Sequence, residues 1–87
     1  MERIDTPLKD AFYVIPPQFE DARGLFSETY NAKNFARVTG LEVNFVQDNE
    51  STSKYGALRG LHYQSGAHAQ AKLVRVSAGK VLDVIVD

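Results

Sequence analysis

Eighty-seven residues with a formal net charge of −1 make a single domain, one that buries only about 60–65% of the surface its unfolded chain would expose. The lack of cysteine excludes disulfide staples, thiolate metal sites, iron–sulfur clusters and a cysteine nucleophile. The near-neutral charge excludes the clustered cationic footprint of general nucleic-acid binding.

The opening residues Met1-Glu2-Arg3-Ile4-Asp5 lack the basic-then-apolar order of a signal peptide, and no apolar run is long enough to span a bilayer, so a cytoplasmic protein with no membrane partner is expected. Phe12-Tyr13-Val14-Ile15 is a β-rich run stopped by Pro16 and Pro17, which cannot donate to a ladder, so it reads as an edge strand. Phe19–Gly24 reads as an acidic turn-like loop leading into a strand over Leu25–Tyr30, with Phe26, Glu28 and Tyr30 on one face. Asn31 is placed to cap a helix over 32–39, whose apolar stripe is Ala32, Phe35, Ala36 and Val38, and Gly40 is placed to stop it.

Beyond the helix the β signals dominate. They recur over 43–46, Leu58–Gln64, Lys72–Ser77 and Val81–Asp87, with a polar loop over Ser51–Gly56 and a tight turn at Ala78-Gly79. Short strands at this spacing predict an all-β sandwich or barrel with one short helix. The last of these signals runs to the terminus, which predicts either a longer parent chain or a sheet closed by a partner.

Both histidines fall in the second half. His62 is the candidate base, because histidine is the side chain whose ordinary titration range lies near neutrality; the alternative is a core histidine with both nitrogens bonded. In a regular pleat Arg59 and His62 face opposite ways, and a β-bulge at Gly60 would let them converge. Lys72 either points into the same cavity, where it needs a developing negative charge to offset its burial, or ends a strand at the surface. Gln47 and Asn49, two apart, share a face suited to a polar ligand or to a polar strand end. Arg23, Phe26 and Glu28 combine a cation, an aromatic face and an anion, able to stack a planar base or to form a solvated face. His68 sits in the loop Ser65–Ala69 and is given no role. One histidine in an otherwise ligand-poor strand is a weak metal site, so no metal is expected, and no phosphate-cradling or dinucleotide-binding glycine motif is present.

The runs "FEDARGLFSETYN" (Phe19–Asn31), "FVQDNESTSKYGALRGLHYQ" (Phe45–Gln64) and "QAKLVRVSAGKVLDVIVD" (Gln70–Asp87) resemble the amino-terminal half of the dTDP-4-dehydrorhamnose 3,5-epimerase family. That resemblance implies a cupin-like β jelly roll, a homodimer with an exchanged amino-terminal strand, and cofactor-free inversion of carbons 3 and 5 of a dTDP-4-keto-6-deoxy sugar. By the same resemblance His62 is the base, Lys72 holds the enolate oxygen and Arg59 the pyrophosphate. Gln47 and Asn49 line the nucleotide and sugar site, and Arg23, Phe26 and Glu28 meet the thymidine end. Family members continue beyond the position of Asp87, and the opposite-face proton donor and the acidic partner of the histidine match nothing in residues 1–87. Two alternatives stand beside this: an epimerase acting at one carbon of a related dTDP-keto sugar, and a nucleotide-sugar binding fragment without catalysis.

Overall fold

The structure, a computed structural model, describes residues 1–87. It divides into two compact units, residues 1–44 with Asp87, and residues 45–86.

In the first unit β1 (Glu2–Asp5) pairs antiparallel with β2 (Phe12–Ile15), in a register running from Glu2 opposite Ile15 to Asp5 opposite Phe12. The connection is fixed by Thr6, whose hydroxyl donates to the Ala11 carbonyl (2.6 Å) and accepts from the Leu8 N–H (3.2 Å). A side-chain oxygen bonding nearby backbone in this way substitutes for ladder bonds within a turn. Arg3 holds the sheet to the helix. Its guanidinium lies 4.3 Å from the centroid of the Phe12 ring, pairs with Asp5 and donates from Nη1 to the Thr39 carbonyl (3.0 Å). The acceptor is a carbonyl at the C-terminal end of the helix, where unsatisfied carbonyls and the helix dipole both favour a cation.

The helix α1 spans Ala32–Thr39. The Asn31 side chain accepts from the Asn34 N–H (3.0 Å), and Gly40, at φ 72, donates its N–H to the Ala36 carbonyl (2.8 Å). This left-handed cap carries no steric cost for glycine, which lacks a Cβ. The buried stripe is Phe35 and Thr39, four apart and so on one face. Phe35 packs its ring 5.7 Å from that of Tyr30, and the Thr39 hydroxyl donates to the Phe35 carbonyl (2.7 Å). Replacing Asn31 by alanine is expected to destabilise the first unit by about 1 kcal/mol, read as a lower midpoint in helix-monitored unfolding, whereas Asn31→Ser should retain most of the stability.

A second hairpin joins β3 (Gln18–Asp21) to β4 (Gly24–Ser27), with Phe19 opposite Phe26 and Glu20 opposite Leu25. It packs against no other strand or helix. Its large apolar side chains are therefore open to solvent, Phe19 and Leu25 at 60% and Phe26 at 66%.

The expected strand at Phe12–Ile15 and helix at 32–39, with their stops, are present. Other expectations need correction. Phe19–Asp21 is a strand and only Ala22-Arg23 is turn, while the strand expected to reach Tyr30 ends at Ser27. β1 was not anticipated at all. The segments 43–46, Leu58–Gln64, Lys72–Ser77 and Val81–Asp87 carry no ladder, and Gly66–His68 forms a 3₁₀ turn. Strand propensity measures fit to a paired, half-buried surface, and within this chain these segments have no such surface: Leu58 is 96% and Leu82 91% exposed. The strands pair as two separate two-stranded sheets, and no barrel closes. No helix is long and apolar enough to cross a membrane.

Candidate functional site

The residues singled out in the sequence divide between the two units, three in the first and five in the second.

Arg23 occupies the tip of the β3–β4 hairpin. Its N–H donates to Asp21 Oδ1 (2.8 Å), and its Nε and Nη2 donate to Asp21 Oδ2 (3.2 and 2.7 Å). The carboxylate thus bridges the turn backbone and the guanidinium together, and these bonds hold the Asp21 carboxyl below its ordinary value and push Arg23 up. A lowered carboxylate pKa stabilises the fold above the unfolded value and ceases to do so as the pH falls through the folded one. The Asp21 carboxyl should therefore titrate with a midpoint below 3.8 in a side-chain NMR titration, and Arg23→Ala should return it toward that value.

Phe26 faces Phe19 across the hairpin, with ring centroids 6.3 Å apart. Together with Asp21, Arg23, Gly24 and Leu25 these rings line a groove of about 280 Å³. Aromatic faces beside a guanidinium suit a planar, polar-edged ligand. Glu28 lies past the end of β4, where its Oε1 accepts from Asn34 Nδ2 (3.0 Å). The carboxylate is thereby tied to the first turn of α1.

In the second unit Gln47 Nε2 donates to Asn49 Oδ1 (3.3 Å), so the two amides do share a side of the extended chain, as their spacing requires. Arg59 is held from behind. Its Nε donates to Ser53 Oγ (2.9 Å) and its Nη2 to the Thr52 carbonyl (3.3 Å). Between them the chain reverses at a turn closed by the Ala57 N–H on the Lys54 carbonyl (3.1 Å), with Gly56 at φ 79. Gly60 has φ 123, a conformation L side chains rarely adopt, so the regular alternation between Arg59 and His62 is interrupted there, although not by a β-bulge, which requires a ladder.

His62 and Lys72 are both exposed, and no hydrogen bond or ion pair joins them to each other or to Arg59. His62 was expected within a strand and lies in extended chain outside any ladder. No group of three His, Asp or Glu side chains is gathered.

Asp21, Asn34, Thr52 and Ser53 hold candidate residues in place and were not picked out from the sequence. Asp21 and Asn34 have a local signal, since a carboxylate two residues before an arginine in a tight turn, and an amide in the first turn of a capped helix, both find close partners.

The sequence profile of the dTDP-4-dehydrorhamnose 3,5-epimerase family matches residues 5–87. A protein of Salmonella typhimurium bearing that name is 50% identical over 84 residues, which are 97% of this chain and 46% of that protein. The Escherichia coli protein of the same name is 47% identical over the whole chain and 47% of its own length. One from Methanothermobacter thermautotrophicus is 51% identical over 97% of this chain and 44% of its own. The chain thus spans just under half the length of these curated relatives. No solved structure matches it. The match runs through the hairpin trio, the Gln47–Asn49 pair and the Arg59–His62–Lys72 stretch alike, and the chain belongs to the dTDP-4-dehydrorhamnose 3,5-epimerase family.

Proposed function

We propose that this chain carries the base and part of the nucleotide site of an epimerase that inverts carbons 3 and 5 of dTDP-4-dehydro-6-deoxy-D-glucose, giving dTDP-4-dehydro-L-rhamnose. The observation that carries this reading is the match over residues 5–87 at about half identity, which spans every residue assigned below.

The chemistry follows from the substrate. A proton on a carbon beside a ketone is removable because the electron pair left behind moves onto the ketone oxygen. His62, as a neutral imidazole, takes that proton; the C–H pair forms the enolate C=C and the C=O pair becomes an oxyanion, toward which Lys72 directs its ammonium. A cation at this position stabilises the enolate more than the ketone and so lowers the barrier. Returning a proton to the opposite face completes each inversion, and that donor is assigned to none of residues 1–87. Arg59 takes the pyrophosphate as a charge-assisted, bidentate partner. Gln47 and Asn49 bond the sugar and nucleotide, and Arg23, Phe26 and Glu28 receive the thymine end in the groove at the hairpin.

The jelly-roll fold and the homodimer with an exchanged amino-terminal strand belong to the same proposal. What supports them is the β3–β4 hairpin, a two-stranded ribbon of exposed aromatics with no cover of its own, which is marginal in water unless it adds to a further sheet. A nucleotide-sugar substrate fits a cytoplasmic site of action.

The test is solvent-deuterium uptake into the 4-keto sugar in the presence of the protein, read by mass spectrometry, alongside dTDP affinity. Two deuterons per sugar are expected, and an unlabelled sugar would remove the epimerase assignment. A second reading, a nucleotide-sugar binding module without turnover, is favoured by the exposure of His62 and Lys72. It is the one left standing if dTDP binds while no deuterium enters.

A further inference from the structure

The second unit contains a polar contact that the candidate chemistry does not itself require. Arg59 meets the loop preceding it, six and seven residues back, through Ser53 Oγ and the Thr52 carbonyl. The donors used are Nε and Nη2, which lie along one edge of the planar guanidinium. Of the five N–H groups of an arginine, those on the end formed by Nη1 and the second hydrogen of Nη2 remain unbonded. With the side edge occupied, that end still presents a parallel N–H pair that matches two oxygens of a phosphate.

A free arginine side chain has many rotamers, and ordering it on binding costs a substantial part of what its contact contributes. Here the side edge is held before any ligand arrives. The tether is built by the chain reversal at Lys54–Ala57, closed by a backbone hydrogen bond and a left-handed Gly56, which returns Ser53 to the level of Arg59.

We propose that Ser53 is a positioning residue for diphosphate binding: its hydroxyl, with the Thr52 carbonyl, fixes the Arg59 guanidinium so that its open end presents two N–H groups to a nucleoside diphosphate. This rests on the reading of Arg59 as the phosphate ligand. Ser53 itself touches no substrate and acts through Arg59.

The experiment is a double-mutant cycle of dTDP affinity by titration calorimetry on the 87-residue protein, with thymidine as the control ligand. Arg59→Ala is expected to weaken dTDP about ten- to hundredfold. Ser53→Ala is expected to weaken it roughly three- to tenfold, with thymidine affinity unchanged. Ser53→Thr, which keeps the hydroxyl, should restore most of the loss. In the Arg59→Ala background the Ser53→Ala change should have no further effect, because the group it positions is gone. If Arg59→Ala leaves dTDP affinity intact, the phosphate-ligand reading fails and the positioning role fails with it. If Arg59→Ala weakens dTDP but Ser53→Ala does not, or adds its full effect in the double variant, or weakens thymidine equally, the positioning role is overturned while Arg59 keeps its own.

Discussion

Replacing His62 by alanine is expected to lower deuterium uptake into dTDP-4-dehydro-6-deoxy-D-glucose by about 10²- to 10⁴-fold, the range general-base catalysis supplies, with dTDP affinity unchanged. The two readouts separate base from ligand. The imidazole is asked to accept a proton from carbon, and nothing in the proposed nucleotide contacts passes through it. Its exposure and lack of hydrogen-bond partners also mean that the substitution removes no packing and orphans no buried polar group, the routes by which a histidine change would unfold a protein. Exchange that continues at the unsubstituted rate would remove His62 from the mechanism. Loss of exchange accompanied by an equal loss of dTDP binding would make it a ligand instead.

The second large effect is structural. Phe35→Ala is expected to destabilise the first unit by about 3–5 kcal/mol, the usual range for truncating a buried phenylalanine. Phe35 is the only hydrophobic residue that is buried, at 4% exposure. For a unit of this size total stability is only about 2–7 kcal/mol, so the variant should lose the helix signal of α1. Phe35→Leu, which keeps most of the volume, should retain the fold with a lower unfolding midpoint. A variant Phe35→Ala that melts at the parent temperature would show that the Tyr30–Phe35 contact does not hold the unit together.

What could be read from the sequence was what short-range chemistry decides. Asn31 and Gly40 bracket α1 because capping involves partners within four residues, and Phe12–Ile15 is stopped by two prolines whatever lies around it. β1 and β3 carry weak strand signals because three of the four residues in Glu2-Arg3-Ile4-Asp5 and two of the four in Gln18-Phe19-Glu20-Asp21 are charged. Each becomes a strand through its hairpin partner, the Asp21–Arg23 turn aligning the second. The reverse holds for Val81–Asp87, rich in β formers yet outside any ladder, because a strand needs a neighbour as well as a propensity. The candidate site was legible as residue types in a family pattern. Its supports were not: Ser53 bonds Arg59 only because the chain turns back through Lys54–Ala57, and no periodicity encodes that.

The bond from Arg3 to the Thr39 carbonyl also bears on timing during synthesis. Translation proceeds from the amino terminus, at about 5–20 residues per second, so the β1–β2 hairpin leaves the ribosome well before α1 does. Arg3 can settle on Phe12 at that stage, but its acceptor at the end of α1 emerges some seconds later. The first unit therefore locks only once the left-handed turn at Gly40 has cleared the exit tunnel, and a stall before that point would leave the nascent hairpin docked on nothing.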